Sequence, residues 1–282
     1  MTIYRADDGT GIYYEDVGAG PPLVFVHGWP LSGAMWEYQI VPLIEAGFRC
    51  ITLDRRGFGR SDKPAGGYDY KRMGADVAGL IDHLQLENVT LVGFSMGGGE
   101  VVEVLTRHNT GRITKAMLVA SIVPYLLKSA DNPDGVDASV FDAIISGLRN
   151  DRPGFLTEFT EKFFGVGLLS SPVSMPMIAA NCELAMHASP IATLECVRAF
   201  SATDLRGMAK GIHLPILVIH GDADAIVPIE ASGKRAAELI PNAQLKIYPN
   251  APHGLFYTHR DELNRDIAAF ASDGRIALAS AA

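Results

Sequence analysis

The sequence predicts an α/β fold, with a mostly parallel, doubly wound sheet that helices cover on both faces. Short apolar runs rich in branched residues recur along the chain, as expected for strands buried on both faces. Stretches with apolar residues at helical spacing separate them, and this alternation is typical of parallel sheets. The predicted strands are residues 23–26, 50–53, 89–94, 116–120, 216–219 and 245–248. The predicted helices are residues 35–46, 71–84, 99–107, 229–239 and 261–270.

The first residues follow a different pattern. Residues 3–16 alternate around Asp8-Gly9-Thr10-Gly11, and a glycine-containing turn between alternating residues predicts a β-hairpin. We therefore expect two short strands, joined by a tight turn, ahead of the parallel sheet.

The alternation of strands and helices stops between residues 122 and 214. This region has helix-length apolar segments that contain several phenylalanines, but no convincing buried strand. We interpret it as a helical cap inserted over the active edge of the sheet, with a purely structural helical subdomain as the alternative. The predicted organisation is a core of residues 1–121 and 215–274, a cap of residues 122–214 and a C-terminal tail of residues 275–282.

The composition of the chain limits the kinds of partner that it can bind. The 282-residue chain is 48% hydrophobic with a formal net charge of -8, and it has no dense block of lysine or arginine. These features argue against nucleic acid or an anionic membrane as the main partner and favour a small neutral substrate. The N-terminus lacks the pattern of a secretory signal, and the three cysteines are widely spread. We expect a cytoplasmic protein with reduced thiols, and the sequence leaves a homo-oligomer open.

A candidate nucleophile lies at the end of the third predicted buried run. Gly93-Phe94-Ser95-Met96-Gly97 follows a strand and precedes a helix, which is the context that a nucleophile elbow requires. A serine on such a tight turn adopts a strained backbone, and the glycines two positions away on either side avoid collisions. An incidental serine in a glycine-rich turn is the alternative. The elbow predicts Ser95 as a nucleophile.

A serine hydroxyl needs a histidine base, and the histidine needs a carboxylate to fix its tautomer. His253 lies in a loop before the last predicted helix. Asp222 and Asp224 follow the strand at residues 216–219, at the end where open α/β sheets build their sites. Asp222 directly follows a glycine and could bind loop amides, whereas Asp224 lies farther out, so both stay candidates for the acid.

The sequence indicates neither a metal nor a cofactor. Metal-binding patterns such as His-Glu-x-x-His, a close cysteine pair or an acidic calcium loop are missing. Gly57-Phe58-Gly59 is similar to part of a dinucleotide-binding loop, but the third glycine of that motif is missing. We therefore expect a cofactor-free site.

Five segments together resemble the α/β-hydrolase superfamily, in particular its branch of cofactor-free haloperoxidases, perhydrolases and arylesterases. The resemblance covers nearly the whole chain and favours Asp224 over Asp222. It implies hydrolysis of small esters by a serine hydrolase, with peracid formation when hydrogen peroxide replaces water at the acyl-enzyme. The segments are residues 27–33 (His-Gly-Trp-Pro-Leu-Ser-Gly), 54–61 (Asp-Arg-Arg-Gly-Phe-Gly-Arg-Ser), 93–100 (Gly-Phe-Ser-Met-Gly-Gly-Gly-Glu), 220–228 (His-Gly-Asp-Ala-Asp-Ala-Ile-Val-Pro) and 251–254 (Ala-Pro-His-Gly).

The resemblance also implies the surroundings of the nucleophile. The amides of Trp29 and Met96 would form the oxyanion hole. Pro30 cannot donate a hydrogen bond and restricts the backbone of Trp29, which we expect to favour peroxide over water. The partners implied are a small ester or acid, with hydrogen peroxide as a candidate second reactant. The implied substrate-binding residues are Trp29, Pro30, Phe159, Phe163, Phe200, Ile226 and Val227.

Other functions compete with this interpretation. A lactonase or γ-lactamase could use the same three residues, and so could a lyase. A non-catalytic small-ligand receptor on this fold is the rival of another class, and the complete set of serine, aspartate and histidine argues against it. A haloalkane dehalogenase would need a carboxylate at position 95, so the serine excludes that activity.

Overall fold

The computed structural model of the chain describes residues 2–108, 111–167 and 171–276. In this part, eight strands form one sheet. The strands are β1 (Ile3–Arg5), β2 (Gly11–Gly18), β3 (Pro22–Val26), β4 (Arg49–Leu53), β5 (Val89–Phe94), β6 (Ile113–Val119), β7 (Ile216–Gly221) and β8 (Ala243–Tyr248). Their order across the sheet is β1-β2-β4-β3-β5-β6-β7-β8.

The sheet is parallel from β4 to β8, whereas β1 and β2 are antiparallel. The register aligns the carboxyl ends of the central strands, because Phe94 pairs with Val119 and Val119 pairs with Ile219. Loops that leave these ends therefore meet at one edge, where open α/β sheets build their sites. The predicted α/β class with a mostly parallel sheet is confirmed.

Helices flank the sheet, and some of them also pack against each other. Helix α2 packs against α3, and α1 packs against α11. The helices are α1 (Glu37–Glu45), α2 (Tyr70–His83), α3 (Gly97–Glu103), α4 (Ala138–Asn150), α5 (Arg152–Phe163), α6 (Met175–Met186), α7 (Pro190–Ala202), α8 (Arg206–Ala209), α9 (Gly233–Leu239), α10 (Leu255–Thr258) and α11 (Arg260–Asp273). None of the described helices is both long enough and apolar enough to cross a membrane.

The N-terminal hairpin and the central strands match the sequence predictions, whereas some helices differ. Residues 99–107 were expected to form one α-helix, but α3 ends at Glu103 and a π-helical turn, Val104–His108, follows. The Thr106 hydroxyl donates a hydrogen bond to the Val102 carbonyl at 2.7 Å. This bond competes for an acceptor of the helix backbone, which favours the wider turn.

Between β6 and β7 the described chain is helical, with only isolated bridges of strand type. Each of the four longer helices here, α4 to α7, begins at a side chain that accepts a hydrogen bond from a free backbone N–H. These N-caps are Asp137, Asp151, Ser174 and Ser189. The predicted tail lies mostly outside the described residues, since the described chain ends at residue 276.

Candidate active site

Ser95 lies on a tight turn between β5 and α3. Its φ is +53°, a left-handed conformation that is uncommon for a residue with a side chain. The turn is closely packed, because a Cβ atom on Gly93 would lie 2.6 Å from the Gly97 carbonyl oxygen. A Cβ atom on Gly97 would lie 2.5 Å from the Val26 carbonyl oxygen. Glycine is therefore required at both positions, as the elbow motif predicts.

The structure brings Ser95, His253 and Asp224 into one hydrogen-bonded chain. His253 Nε2 lies 3.0 Å from Ser95 Oγ, and His253 Nδ1 lies 2.7 Å from Asp224 Oδ2. All three residues are buried. The His253 ring contacts the rings of Phe94 and Phe163, with ring centroids 5.0 Å and 4.8 Å away. This geometry allows His253 to take a proton from the serine while Asp224 holds its tautomer.

The two aspartates after β7 have different partners. Asp224 Oδ1 accepts hydrogen bonds from the backbone N–H groups of Ile226 and Val227, at 2.9 Å and 2.8 Å. Asp222 Oδ1 accepts a hydrogen bond of 2.6 Å from the N–H of Asn250, in the turn that leads to His253. Asp224 thus contacts the histidine, and Asp222 ties two loops together.

Asp224 is held ionised against the effect of its burial. Burial by itself raises the pKa of this carboxyl. The charge and hydrogen bond of His253 and the hydrogen bond of His220 outweigh that effect and leave the pKa of Asp224 well below its usual range. Asp224 can therefore serve as a negative partner for an imidazolium throughout the working pH range.

His220 is a neighbour of Asp224 that the sequence did not identify as part of the site. It lies in the last part of β7. Its Nε2 atom is 3.2 Å from Asp224 Oδ2 and 2.9 Å from the Val227 carbonyl oxygen. The spacing His220-x-x-x-Asp224, from the end of a strand into the following loop, was the available signal.

Two backbone amides near Ser95 have no acceptor among the described residues, namely those of Trp29 and Met96. The carbonyl of Gly28 accepts hydrogen bonds from Leu31 N, at 3.1 Å, and from His27 Nδ1, at 2.8 Å. Because the C=O and N–H of a trans peptide point in opposite directions, these bonds also fix the direction of the Trp29 N–H. The two amides match the oxyanion donors implied by the resemblance.

A buried ion pair connects the two elements that carry these amides. Arg55 forms a salt bridge with Glu100 of α3, and its Nη2 atom donates to the His27 carbonyl at 2.6 Å. The Arg55 backbone N–H donates to His27 Nε2 at 2.9 Å. The pair therefore joins the loop after β3 to the helix behind Ser95. Sequence analysis quoted Arg55 and Glu100 as parts of motifs but gave them no role.

The hydroxyl of Ser95 opens into a small apolar cavity of about 50 Å³. Of the predicted substrate-binding residues, five line it, while Pro30 and Phe163 do not. Phe163 packs edge-on against His253 instead, and Pro30 is buried behind Trp29. The lining residues are Trp29, Ser95, Met96, Ile122, Leu126, Val136, Val140, Phe141, Ile144, Phe159, Phe200, Ile226, Val227 and His253.

The region between β6 and β7 supplies much of this cavity wall. Phe159 of α5 and Phe200 of α7 contact the Trp29 ring edge-on, with centroids 5.2 Å and 5.8 Å away. The Trp29 Nε1–H donates to the Thr193 carbonyl at 3.1 Å. Trp29 thus connects the loop after β3 to helix α7.

A wider open groove of about 630 Å³ adjoins the cavity. The two spaces share Val140 and Ile144 of α4, Phe159 of α5 and Ile226. These four residues therefore separate the cavity beside Ser95 from the open groove. In the described segments, no group of three or more His, Cys, Asp or Glu side chains could hold a metal ion.

The fold and the geometry of this site point to one protein family, and comparisons with known proteins identify it. The sequence model of the α/β hydrolase fold family matches residues 21–260, and the chain belongs to that family. The chain is 47% identical to a putative non-heme chloroperoxidase of Synechocystis. The 266 matched residues cover 94% of this chain and 96% of the relative. It is 36% identical over 273 residues to the bifunctional esterase/perhydrolase DCH of Acinetobacter calcoaceticus. This match covers 96% of this chain and 99% of the relative.

A solved structure supports the same relationship. The bromoperoxidase of Bacillus anthracis superimposes with a TM-score of 0.92 at 46% sequence identity, covering 96% of this chain and 100% of that one. The resemblance to the cofactor-free haloperoxidase branch is thereby confirmed.

Proposed function

We propose that the protein is a serine esterase that hydrolyses small carboxylic esters through an acyl-enzyme and also forms peracids from hydrogen peroxide. The observation that carries the proposal is the chain Asp224–His253–Ser95, which ends in a small apolar cavity beside two amides that have no acceptor in the described part of the chain. The names of the relatives, which combine esterase, perhydrolase and haloperoxidase activity, support the same chemistry.

In the first half of the reaction, Ser95 Oγ attacks the ester carbonyl while His253 Nε2 takes the hydroxyl proton. The amides of Trp29 and Met96 bind the oxyanion that develops on the carbonyl oxygen. His253 then protonates the leaving alcohol, and the acyl group stays on Ser95. Asp224 holds the imidazole tautomer and stabilises the imidazolium.

In the second half, His253 takes a proton from water, which attacks the acyl-enzyme and releases the acid. When hydrogen peroxide attacks instead, the acyl–Ser95 bond breaks and a peracid leaves, with the proton returned to Ser95. The same acyl-enzyme forms from a free acid with loss of water. No oxidation state changes at the protein, so this route to a peracid uses no redox cofactor.

Cavity size indicates the substrate class. A space of about 50 Å³ with apolar walls takes a short acyl group and has few polar partners for a charged one. The adjoining groove leaves room for the rest of the ester outside the cavity. Short-chain acyl esters with a variable alcohol part are therefore the substrates that the site fits best.

The test is a rate comparison with purified protein. Esters of short and long acyl chains, a lactone, and acetate plus peroxide are the substrates, and a phosphonate is the covalent label. We expect the fastest turnover for short acyl esters, peracid formation that a chelator leaves unchanged, and a phosphonate adduct on the peptide containing Ser95. A label elsewhere, or no ester turnover, would refute the proposal. The cytoplasmic location remains a prediction from the sequence, which leaves a homo-oligomer open.

A further inference from the structure

His220 has a hydrogen-bonding arrangement that its position in a buried strand does not require. The ring is fully buried, and its Nε2 atom faces two acceptors, Asp224 Oδ2 at 3.2 Å and the Val227 carbonyl at 2.9 Å. Its other nitrogen, Nδ1, is buried without a partner among the described residues. Gly233 packs so closely that a Cβ atom there would lie 2.8 Å from Nδ1.

These contacts fix the protonation of the ring. Nε2 must carry a hydrogen, because both of its neighbours only accept hydrogen bonds. A second hydrogen on Nδ1 would be buried without an acceptor, which is costly. The Nε2–H of His220 is therefore shared between Asp224 and Val227.

We propose that His220 is a positioning residue for the reaction, and that it acts through Asp224. Together with the two backbone N–H groups on Oδ1, its Nε2–H fixes the carboxylate plane and keeps Oδ2 oriented towards His253. The titratable groups that contact Asp224 in the described chain are His220 and His253, and those that contact His253 are Asp224 and Ser95. The proposal rests on the proposed roles of Ser95, His253 and Asp224.

A matched pair of amide variants tests this role. The side-chain nitrogen of Gln reaches the place of His Nε2, whereas that of Asn reaches only the place of Nδ1. We expect His220→Asn to lower kcat about tenfold, the value of one charge-assisted hydrogen bond, with KM within about twofold. The acid limb of its kcat/KM profile should move up by about half a pH unit, because the less solvated carboxylate attracts the imidazolium more strongly.

His220→Gln should keep kcat within about threefold of the parent and leave the acid limb unmoved. Unfolding temperatures of both variants separate a loss of packing from a loss of positioning. An unmoved acid limb in His220→Asn, or equal losses in the two variants, would overturn the role of His220. If Ser95→Ala remained active, the proposed function itself would fail, whatever the histidine variants do.

Met96 carries a second inference, from the cavity rather than from the hydrogen bonds. It follows Ser95 in the chain, lines the same cavity and is 1% exposed. By contrast, Met175 is 67% exposed and Met186 is 41% exposed. On the proposed function, each peracid molecule forms in a space of about 50 Å³ that Met96 borders.

We infer that Met96 is the residue that the peracid product oxidises. In this step the peracid O–O bond breaks, the terminal oxygen joins the thioether sulfur, and the proton returns to the carboxylate. The peracid is reduced to the acid, and the methionine becomes a sulfoxide. A polar sulfoxide in a small apolar cavity obstructs the substrate, so the enzyme should lose activity in proportion to the peracid it has made.

Peptide mass mapping during turnover with acetate and peroxide tests the inference. We expect Met96 to gain an oxygen atom before Met175, against the order of exposure. Ser95→Ala in the same mixture cannot form the acyl-enzyme, so there Met175 should be oxidised first. Peracid release is measured in parallel by iodide oxidation. Peracid release with Met175 oxidised ahead of Met96 would overturn the inference alone, and absence of peracid would overturn the peroxide part of the proposed function as well.

Discussion

The two halves of the site are built differently. The reacting groups lie in loops after β3, β5, β7 and β8. Directional hydrogen bonds hold them in position. The cavity wall comes largely from the region between β6 and β7, including α4, α5 and α7, and it is held mainly by contacts between apolar side chains. Directional contacts set the positions of reacting atoms, whereas apolar walls set the size of what fits. Changes in the first half should therefore affect rate, and changes in the second should affect substrate choice.

The largest effect is expected from Ser95→Ala. This substitution removes the attacking oxygen and leaves the core unchanged, so ester turnover should fall by at least about 10⁴-fold. The unfolding temperature should stay close to that of the parent, and it is the control for folding. Substantial turnover by a folded Ser95→Ala protein would show that Ser95 is not the nucleophile and that the reacting groups lie elsewhere.

The next effect separates the two aspartates after β7. Asp224→Asn should lower kcat by about 10³- to 10⁴-fold, because an amide favours the wrong tautomer of His253. Asp222→Asn is the matched control, and its main effect should be on stability, since Asp222 binds the Asn250 N–H and not the histidine. Activity and unfolding temperature are measured for both. A folded but inactive Asp222→Asn beside an active Asp224→Asn would assign the acid role to Asp222.

Much of the reacting half could be predicted from the sequence because its constraints are local. The motif of two glycines around Ser95 is visible in five consecutive residues, although Gly97 is required by the approach of the Val26 carbonyl in β3, and short buried strands leave clear apolar runs. The mostly parallel arrangement of the strands also follows from the alternation of elements. The contact between Asp224 and His253 needed the resemblance, because spacing alone leaves Asp222 equally placed.

The parts of the site that the sequence did not predict depend on contacts between segments that are distant in the chain. The salt bridge between Arg55 and Glu100 joins residues that no local pattern links. The helical wall gave weaker signals, because an apolar residue on a helix looks the same whether it lines a cavity or fills the core. Phe163 shows this: it was expected in the pocket but packs against His253, while Phe159, one helical turn earlier, lines the cavity.

A third prediction tests the wall with two phenylalanines. Phe200 lines the inner cavity and not the groove, whereas Phe155 lines the groove and not the cavity. Phe200→Leu should improve kcat/KM for a longer acyl chain relative to acetyl by about tenfold, because it enlarges the space beside Ser95. Phe155→Leu should leave that ratio within about twofold. Equal shifts in both variants would mean that the acyl group binds in the groove.

The smallest effect should come from Pro30, which belongs to the reacting half yet does not line the cavity. Its ring removes a backbone donor and limits the loop that carries the Trp29 amide. Pro30→Leu restores that donor and some backbone freedom, so the arrangement around the acyl-enzyme should distinguish less between peroxide and water. We expect the ratio of peracid formation to ester hydrolysis to fall about threefold, at the same acid and peroxide concentrations for both proteins. Ester hydrolysis alone and the unfolding temperature serve as controls, since a damaged loop would lower both reactions together. If the ratio stays unchanged, the loop at Pro30 does not select the second reactant, and the choice between water and peroxide must lie in the helical wall.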